Sequence, residues 1–231
     1  MVALAVEAVM RTCPLCGDAH AHRSIDGPDT RKYFQCPACS LIYVDPSCYP
    51  SAEQERSRYL LHNNSPDDPG YTSFLSQAIT PARAFINSRM KCLDYGCGPM
   101  PTLSGMLKEE GIECDNYDPF FFPHGMNAER YDAIFSTECF EHFFCPGIEI
   151  PRLLTVLKPG GYLVIMTACW DTTHDFSTWT YARDITHVSF YHRDTLRWIA
   201  RHYQLDIVYD DHARVLIYQH PMVVKNTGGV S

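Results

Sequence analysis

The hydrophobic pattern from about residue 90 onward alternates between short apolar runs and longer stretches with helical spacing. Alternation of this kind predicts an α/β fold. Strands are predicted at Lys91–Tyr95, Ile112–Tyr117, Gln204–Asp210 and Arg214–Gln219, and helices at about Thr102–Glu110 and Arg193–Tyr203.

A glycine turn follows the first of these strands. In Gly96-Cys97-Gly98 the glycines let the backbone adopt positive φ and approach a ligand closely, and the next helix points its partly positive N-terminus there. The second strand leads to Asp118, about 20 residues beyond the glycines, where an α/β fold places an acid on ribose hydroxyls. The spacing indicates a nucleoside-containing cofactor; the alternative is a tight turn without a ligand.

The residues around the turn narrow the choice of cofactor. A dinucleotide fingerprint needs a third glycine where this chain has Pro101, and a phosphate-binding loop needs a Gly-Lys-Ser/Thr sequence that the chain lacks. Pyrophosphate binding is therefore disfavoured.

Four motifs in order along the chain resemble those of class I S-adenosylmethionine-dependent methyltransferases. They are the glycine turn in Leu93–Met100, the acid Asp118, the strand and Phe-Glu-His ending in Tyr131–His142, and the Leu-Lys-Pro-Gly-Gly turn at Leu157–Gly161. The resemblance covers the chain from about residue 75 onward. It implies a Rossmann-like, doubly wound sheet with an antiparallel last strand, and S-adenosylmethionine as cofactor.

The resemblance also implies a set of cofactor-binding residues. They are Asp94, Tyr95, Gly96, Cys97, Gly98, Asp118, Pro119, Phe120, Thr137 and Glu138. The chain departs from the family pattern between Asp118 and Tyr131, which only 12 residues separate, too few for a helix and a third strand. Either the third strand is vestigial, or Phe120–Phe122 packs on the adenine in place of the acid that the family often carries there.

Two Cys-x-x-Cys pairs precede this region. Cys13 and Cys16 are separated from Cys36 and Cys39 by 19 residues, a spacing typical of a four-thiolate zinc site, and the segment between them resembles a β-hairpin. Four protein ligands leave no open position on the metal, so a zinc ion here is expected to be structural. The alternatives are a redox dithiol and paired disulfides.

These observations predict three segments: a zinc ribbon at residues 1–48, a helical lid or linker at 49–90, and a methyltransferase domain at 91–225. Residues Met1–Met10 are expected to form a helix or a frayed end. The apolar N-terminus is short and has no basic leader, so we expect a cytoplasmic protein with free thiols and no membrane span. A net charge of −8 argues against nucleic-acid binding. The sequence leaves the oligomeric state open.

Candidate catalytic groups follow the predicted fourth strand. Glu138, Glu141 and His142 are candidate bases, with a helix N-terminal acid and a cofactor-shaping histidine as the alternatives. The Glu-x-x-Glu-His sequence also resembles ubiquinone-biosynthesis O-methyltransferases, in which it is linked to a divalent ion. That likeness implies a possible second divalent ion at Glu138, Glu141 and His142.

The segment after the fifth strand mixes aromatic and ionisable residues, as a site for a small polar acceptor requires. Tyr181, Asp184 and His187 are candidate catalytic residues, with Asp184 placed to orient His187. The alternative is that His187 packs at the mouth of the sheet and Asp184 caps a turn. An aromatic-rich insertion beside a zinc ribbon resembles bacterial zinc-ribbon methyltransferases.

The leading interpretation is methyl transfer from S-adenosylmethionine to an oxygen or nitrogen of a small polar metabolite. One alternative is methylation of a protein or RNA that the ribbon recognises. Another is a regulatory protein that binds the cofactor without catalysis, which a blocked pocket over Glu138 and His187 would favour.

Overall fold

A computed structural model of the chain describes residues 8–61, 64–126, 130–173 and 175–222. The strands are β1 (Ala8–Met10), β2 (Ala21–Ile25), β3 (Tyr33–Gln35), β4 (Ile42–Val44), β5 (Lys91–Tyr95), β6 (Glu113–Tyr117), β7 (Tyr131–Thr137), β8 (Leu157–Met166), β9 (Ser189–Phe190), β10 (Asp206–Asp210) and β11 (Val215–Gln219). The helices are α1 (Ala52–Tyr59), α2 (Pro69–Ala82), α3 (Thr102–Glu109), α4 (Pro146–Val156) and α5 (Arg193–His202).

The larger sheet has six strands in the order β10-β11-β8-β7-β5-β6. Strands β6, β5, β7 and β8 are parallel, and β11 is antiparallel to both of its neighbours. This order confirms the expected doubly wound sheet with an antiparallel last strand. In the described part of residues 118–130 there is only a turn closed by a bridge between Asp118 and Phe122, so β6 is the edge strand.

Helices cover both faces of this sheet. On one face α2 and α3 pack on apolar side chains of the central strands, and on the other α4 and α5 do the same. Burial on both faces explains why these strands read as continuous apolar runs. Helix α2 is one helix rather than two, because Pro81 falls in its last turn.

The smaller sheet has five strands in the order β1-β2-β3-β4-β9, all antiparallel. Strands β2 and β3 form the expected hairpin between the cysteine pairs. Residues Ala8–Met10 form a strand on β2 rather than the predicted helix or frayed end, and the preceding residues lie outside the described part of the chain. Strand β9 comes from the segment after β8, so residues far apart along the chain complete this sheet.

The smaller sheet packs against the α4 face of the larger one. The buried side chains of Cys13, Leu15 and Phe34 belong to the same apolar cluster as Ile150 of α4. The Gly147 amide donates to the carbonyl of Pro14 at 3.0 Å. A Cβ on Gly147 would lie 2.5 Å from the Leu15 carbonyl oxygen, so glycine is required for this approach.

Within the described ranges, no helix combines the length and the hydrophobicity needed to cross a bilayer.

Two independent features of the structure require glycine at position 96. Its φ is +80°, and a Cβ there would lie 2.4 Å from the Sγ of Cys139, which follows β7. Both the conformation and the contact exclude a side chain. Glycine at position 96 therefore lets the ends of β5 and β7 come closer together than a residue with a side chain would permit.

Gly96→Ala should lower the free energy of unfolding by at least about 2 kcal/mol, because positive φ and steric overlap each cost about 1 kcal/mol or more. The matched control is Gly105→Ala inside α3, where nothing lies within 4 Å of the added methyl group. That change should raise stability by about 0.5–1 kcal/mol. Chemical denaturation of both variants measures the difference; equal effects would contradict the strained turn.

Candidate functional site

A cavity of about 700 Å³ opens at the carboxyl ends of β5, β6 and β7. This volume lies within the range of about 300–1,000 Å³ that is common for small-molecule sites. Every residue predicted to hold the cofactor lines it: Asp94, Tyr95, Gly96, Cys97, Gly98, Asp118, Pro119, Phe120, Thr137 and Glu138. So do the candidate catalytic residues His142, Asp184 and His187. Tyr181 is not part of the wall and lies behind it.

The acid after β6 ties two loops of the cavity together. One oxygen of Asp118 accepts from the Gly98 amide at 3.1 Å, and the other accepts from the amides of Phe120 and Phe121 at 2.8 and 3.1 Å. A carboxylate has about four acceptor sites, so oxygen capacity remains for a ligand. Asp118 therefore fixes the glycine turn and still presents a charged acceptor to the cavity.

The second acid of this region, Asp94, is buried at the end of β5. Burial raises its pKa to about 7, although the Ser104 amide at the start of α3 partly offsets that shift. The carboxyl group is thus held out of water beneath the turn, where a nearby cation would stabilise its charged form.

Glu138 follows β7 in a strained conformation. Its φ is +47°, a region that costs a residue with a side chain of order 1 kcal/mol and that often marks functional sites. One carboxylate oxygen accepts from the hydroxyl of Tyr181 at 3.2 Å, and the other lies 3.5 Å from the Arg214 guanidinium. Burial, followed by the charge of Glu141, raises the pKa of Glu138 to about 8.

Two histidines of the cavity wall contact each other edge to face, with the ring centroids of His142 and His187 4.8 Å apart. The Nδ1 of His142 lies 3.0 Å from the Thr186 carbonyl, and that of His187 lies 2.7 Å from the Tyr181 carbonyl. A carbonyl only accepts, so each Nδ1 carries the proton and each Nε2 has a free lone pair. Burial lowers the pKa of His142 to about 4 and that of His187 to about 3, so both are neutral at pH 7.

Glu141 lies behind this pair and is fully buried. Its Oε2 accepts from the hydroxyl of Thr167 at 2.8 Å, whereas its Oε1 has no hydrogen-bond partner among the described residues and lies 4.0 Å from His142 Nε2. The ligand atoms of Glu141, His142 and His187 all lie within 4.8 Å of one another. The structure thus groups His187, rather than the predicted Glu138, with Glu141 and His142.

Asp184 caps a turn, as the alternative considered from the sequence has it, and does not orient His187. Its carboxylate accepts from the amide and hydroxyl of Thr186, as a turn cap does, and forms an ion pair with Arg58 of α1 at 2.8 Å. Burial alone would raise its pKa, but these contacts outweigh that effect and lower it. The His187 ring is held by the Tyr181 carbonyl instead of by Asp184.

Several wall residues escaped prediction because they come from other elements. Helix α1 contributes Glu55 and Tyr59, whose hydroxyl donates to Glu55 at 3.1 Å. Asn64 and residues of α4 also line the cavity. Within the predicted lid segment, residues 49–90, His62 and Asn63 lie outside the described residues. The sequence predicts a short helix at Glu53–Leu61, close to the observed α1, but its polar composition does not mark its residues as part of a site. Further wall residues are Tyr71, Phe74, Thr102, Tyr117, Phe143, Ile148, Glu149 and Arg152.

Of the three consecutive phenylalanines after β6, only Phe120 lines the cavity. Its ring lies 5.8 Å from that of Tyr59, whereas Phe121 lies beneath the Arg56 guanidinium at 5.9 Å. The three rings therefore do not wrap one ligand together.

The four predicted zinc ligands converge away from this cavity. The Sγ atoms of Cys13 and Cys39 are 3.6 Å apart, and those of Cys16 and Cys36 are 3.5 Å apart. A Zn–S bond of about 2.3 Å requires sulfurs about 3.8 Å apart in a tetrahedron. No disulfide joins cysteines in the described part of the chain. The cluster therefore has the spacing of one tetrahedral zinc ion.

Comparison with known proteins agrees with this geometry. Residues 70–210, more than half of the chain, match the family described as a methyltransferase domain. The chain belongs to this family and is a class I S-adenosylmethionine-dependent methyltransferase. No curated protein sequence matches it significantly.

Solved structures of similar fold share little sequence with the chain. One is an O-methyltransferase family protein from Burkholderia thailandensis, with 16% identity and a TM-score of 0.48 over 77% of this chain; the match spans 66% of that protein. Another is the N-methyltransferase NodS from Bradyrhizobium japonicum in complex with S-adenosyl-L-homocysteine. It has 17% identity and a TM-score of 0.47 over 73% of this chain and 97% of NodS.

Proposed function

We propose that the protein transfers the methyl group of S-adenosylmethionine to an oxygen or nitrogen of a small polar metabolite. The observation that carries this proposal is the excess of carboxyl groups over basic groups in the cavity wall. Among the described residues that line it, six are acidic and one is an arginine: Glu55, Asp94, Asp118, Glu138, Glu149, Asp184 and Arg152. A partly desolvated acidic cavity favours a cationic ligand such as a sulfonium.

The residues present fit the ribose and the adenine of the cofactor. Asp118 offers a carboxylate to the ribose hydroxyls, and the glycine turn leaves room for the backbone to approach the ligand. Phe120 and the paired rings of Tyr95 and Tyr117, 4.9 Å apart, offer apolar surface for the adenine. When bound, the cofactor supplies a methyl group on an already activated leaving group. The protein then has mainly to align the acceptor and take up its proton.

The acceptor is expected at the histidine end of the cavity. His187 is neutral and can accept a proton from an acceptor hydroxyl or ammonium, whereas Glu138 holds its proton at neutral pH and can donate a hydrogen bond to the acceptor. Tyr181 positions Glu138 through its hydroxyl at 3.2 Å and His187 through its carbonyl. The space beside Glu138 and His187 is open, which favours catalysis over cofactor binding alone.

Recognition of an RNA or an acidic protein by the ribbon has less support. Arg11 forms an ion pair with Asp45 at 2.7 Å, and Arg31 pairs with Asp29 at 2.9 Å. These two ribbon arginines are already neutralised within the fold, so they do not form a free basic surface.

Asp118→Asn should weaken S-adenosylhomocysteine binding roughly 10- to 100-fold. Hydrogen bonds to a charged acceptor contribute about 1.5–3 kcal/mol, and the amide keeps the shape of the side chain. Isothermal titration calorimetry measures the affinity. The matched control is Asp115→Asn, an acid on the same strand that contacts Tyr131 outside the cavity, and it should leave the affinity unchanged.

The same experiment tests the function as a whole. If the wild-type protein does not bind S-adenosylhomocysteine, the proposal fails. If it binds, incubation of the protein with methyl-labelled S-adenosylmethionine and pools of small hydroxyl and amine metabolites should give labelled products of low mass. Label that enters only protein or RNA would refute the proposed acceptor class.

We also propose that Cys13, Cys16, Cys36 and Cys39 hold one structural zinc ion. The support is their tetrahedral spacing and the burial of three of the four side chains. The surrounding ribbon has short strands and a small core, and such modules need the metal to fold. We retain residues 1–48 as the ribbon, 49–90 as the lid segment and 91–225 as the methyltransferase domain.

Cys36→Ser should reduce the zinc content from about one to near zero per chain and lower the melting temperature, because metal binding contributes folding free energy. Atomic absorption and calorimetry measure the two quantities. Cys48→Ser is the control, since Cys48 lies outside the cluster. Unchanged zinc content in the Cys36 variant would rule out the four-thiolate site.

We propose a second, divalent ion site at Glu141, His142 and His187, in place of the predicted Glu138 set. The ligand atoms of the three residues lie within 4.8 Å of one another, and Glu141 Oε1 has no hydrogen-bond partner among the described residues. Backbone carbonyls fix both imidazole rings through Nδ1, as carbonyls do behind metal-bound histidines. Two nitrogens and one oxygen suit a divalent transition metal. A metal there would adjoin the acceptor end of the cavity, and His187 would then serve as a ligand of the ion rather than as a base.

Calorimetric titration with Mn²⁺ tests this site in the zinc-loaded protein. The wild type should bind one ion, and both Glu141→Gln and His187→Gln should weaken binding at least tenfold while S-adenosylhomocysteine still binds. Glu149→Gln, which changes a cavity carboxylate outside the group, serves as control. Equal Mn²⁺ affinity in Glu141→Gln and wild type would eliminate the site.

A further inference from the structure

One arginine of the cysteine ribbon reaches the wall of the methyl-transfer cavity. Arg31 lies in the turn between β2 and β3, yet its Nη1 donates to the carbonyls of Ile185 and His187 at 3.2 and 2.9 Å. Its Nη2 donates to the carbonyl of Ala182. These partners are more than 150 residues away along the chain, so the contact joins two distant segments.

Contacts within the ribbon also fix the guanidinium of Arg31. Arg31 Nε donates to one oxygen of Asp29 at 2.9 Å, and the hydroxyl of Tyr33 donates to the other at 2.9 Å. The Arg31 side chain is only 10% exposed, so its charge is largely withdrawn from water and is compensated by Asp29 and by carbonyl dipoles. The same Tyr33 hydroxyl lies 3.3 Å from the Ala182 carbonyl.

The clamped segment, residues 182–187, carries two wall residues of the cavity, Asp184 and His187. A planar guanidinium with five donors can hold several carbonyls in one fixed arrangement, which an ammonium group cannot do. Three hydrogen bonds to carbonyls within six residues restrict the conformations open to this segment. The neighbouring β4–β9 ladder is two residue pairs long, and backbone hydrogen bonds from Val44 and to Glu141 extend this pairing to Val188 but not to residues 182–187.

We propose that Arg31 is a positioning residue for the acceptor end of the cavity. It holds residues 182–187 so that the His187 imidazole and the Asp184 carboxylate face the space where the acceptor binds. That this space receives a methyl acceptor rests on the proposed function, whereas the contacts of Arg31 do not depend on it. The ribbon then serves as a support for the reaction site, which explains why its sheet takes a strand from the segment after β8.

The clamp acts only at one end of the cavity. Asp118 and the glycine turn, which we assign to the cofactor, have no contact with Arg31 among the described residues. Loss of the guanidinium should therefore affect residues 182–187 and leave cofactor affinity unchanged. A residue that only supported the overall fold would affect both.

Hydrogen–deuterium exchange by mass spectrometry tests the proposal on the full-length, zinc-loaded protein. In Arg31→Ala, amides of residues 182–188 should exchange at least tenfold faster, while those of β5, β7 and β8 exchange as in wild type. Zinc content should be unchanged, and the S-adenosylhomocysteine affinity should stay within twofold. Arg23→Ala, an exposed arginine on β2 of the same ribbon, is the matched control and should change none of these quantities.

Two further measurements keep the test decisive. Guanidinium ion at a low, non-denaturing concentration should restore protection of residues 182–188 in Arg31→Ala, and urea at the same concentration should not. Arg31→Lys keeps the charge and should show an intermediate exchange rate, and it replaces the alanine variant if that protein does not fold.

Unchanged exchange at residues 182–188, or faster exchange spread equally over the larger sheet with lost cofactor affinity, would overturn the positioning role. Failure of the proposed function is seen separately, as absence of S-adenosylhomocysteine binding by the wild-type protein.

Discussion

The close approach of the glycine turn to the end of β7 is the constraint on which the cavity depends. With no Cβ at Gly96, the Sγ of Cys139 lies against the backbone, and the chain after β7 turns toward the cavity. Glu138, one residue before that contact, takes up a left-handed conformation to complete the turn. The strain at Glu138 and the missing side chain at Gly96 therefore belong to one junction between the ends of β5 and β7.

Desolvation sets the chemistry of the groups around this junction. Burial raises the pKa of Glu138 to about 8 and lowers the pKa of His187 to about 3. An acid that holds its proton and a base that stays free can coexist at neutral pH only where water is restricted. Arg31 contacts the His187 carbonyl and Arg58 contacts the Asp184 carboxylate, so both the ribbon and α1 touch this part of the cavity wall.

The sequence predicted which residues meet at the ends of β5, β6 and β7, because these residues follow strands that can be recognised locally. Parallel strands place their carboxyl ends at one edge, so the glycine turn, Asp118 and Thr137 had to meet once the strands were located. The strands themselves were located from their runs of hydrophobic residues. The convergence of the four cysteines could also be predicted from local sequence, because two Cys-x-x-Cys turns suffice to direct four thiols at one point.

The acceptor end was harder to predict because it depends on contacts between distant segments. Nothing in the residues near Arg31 indicates that its partners are carbonyls beyond residue 180, and the grouping of His187 with Glu141 depends on how the segment after β8 folds back. The strand at Ala8–Met10 was missed because its apolar residues fit a helix equally well, and only its pairing with β2 decides. Tertiary contacts, rather than local preference, determine these elements.

Strand β9 also imposes an order on assembly. One edge of β4 pairs with β3 as soon as the ribbon is made, but its other edge is completed by Ser189–Phe190, which leave the ribosome about 150 residues later. During synthesis of the intervening sheet, β4 therefore presents an open row of backbone donors and acceptors, which is a template for pairing with other chains. The nascent protein passes through a stage in which its first-made module is still unfinished.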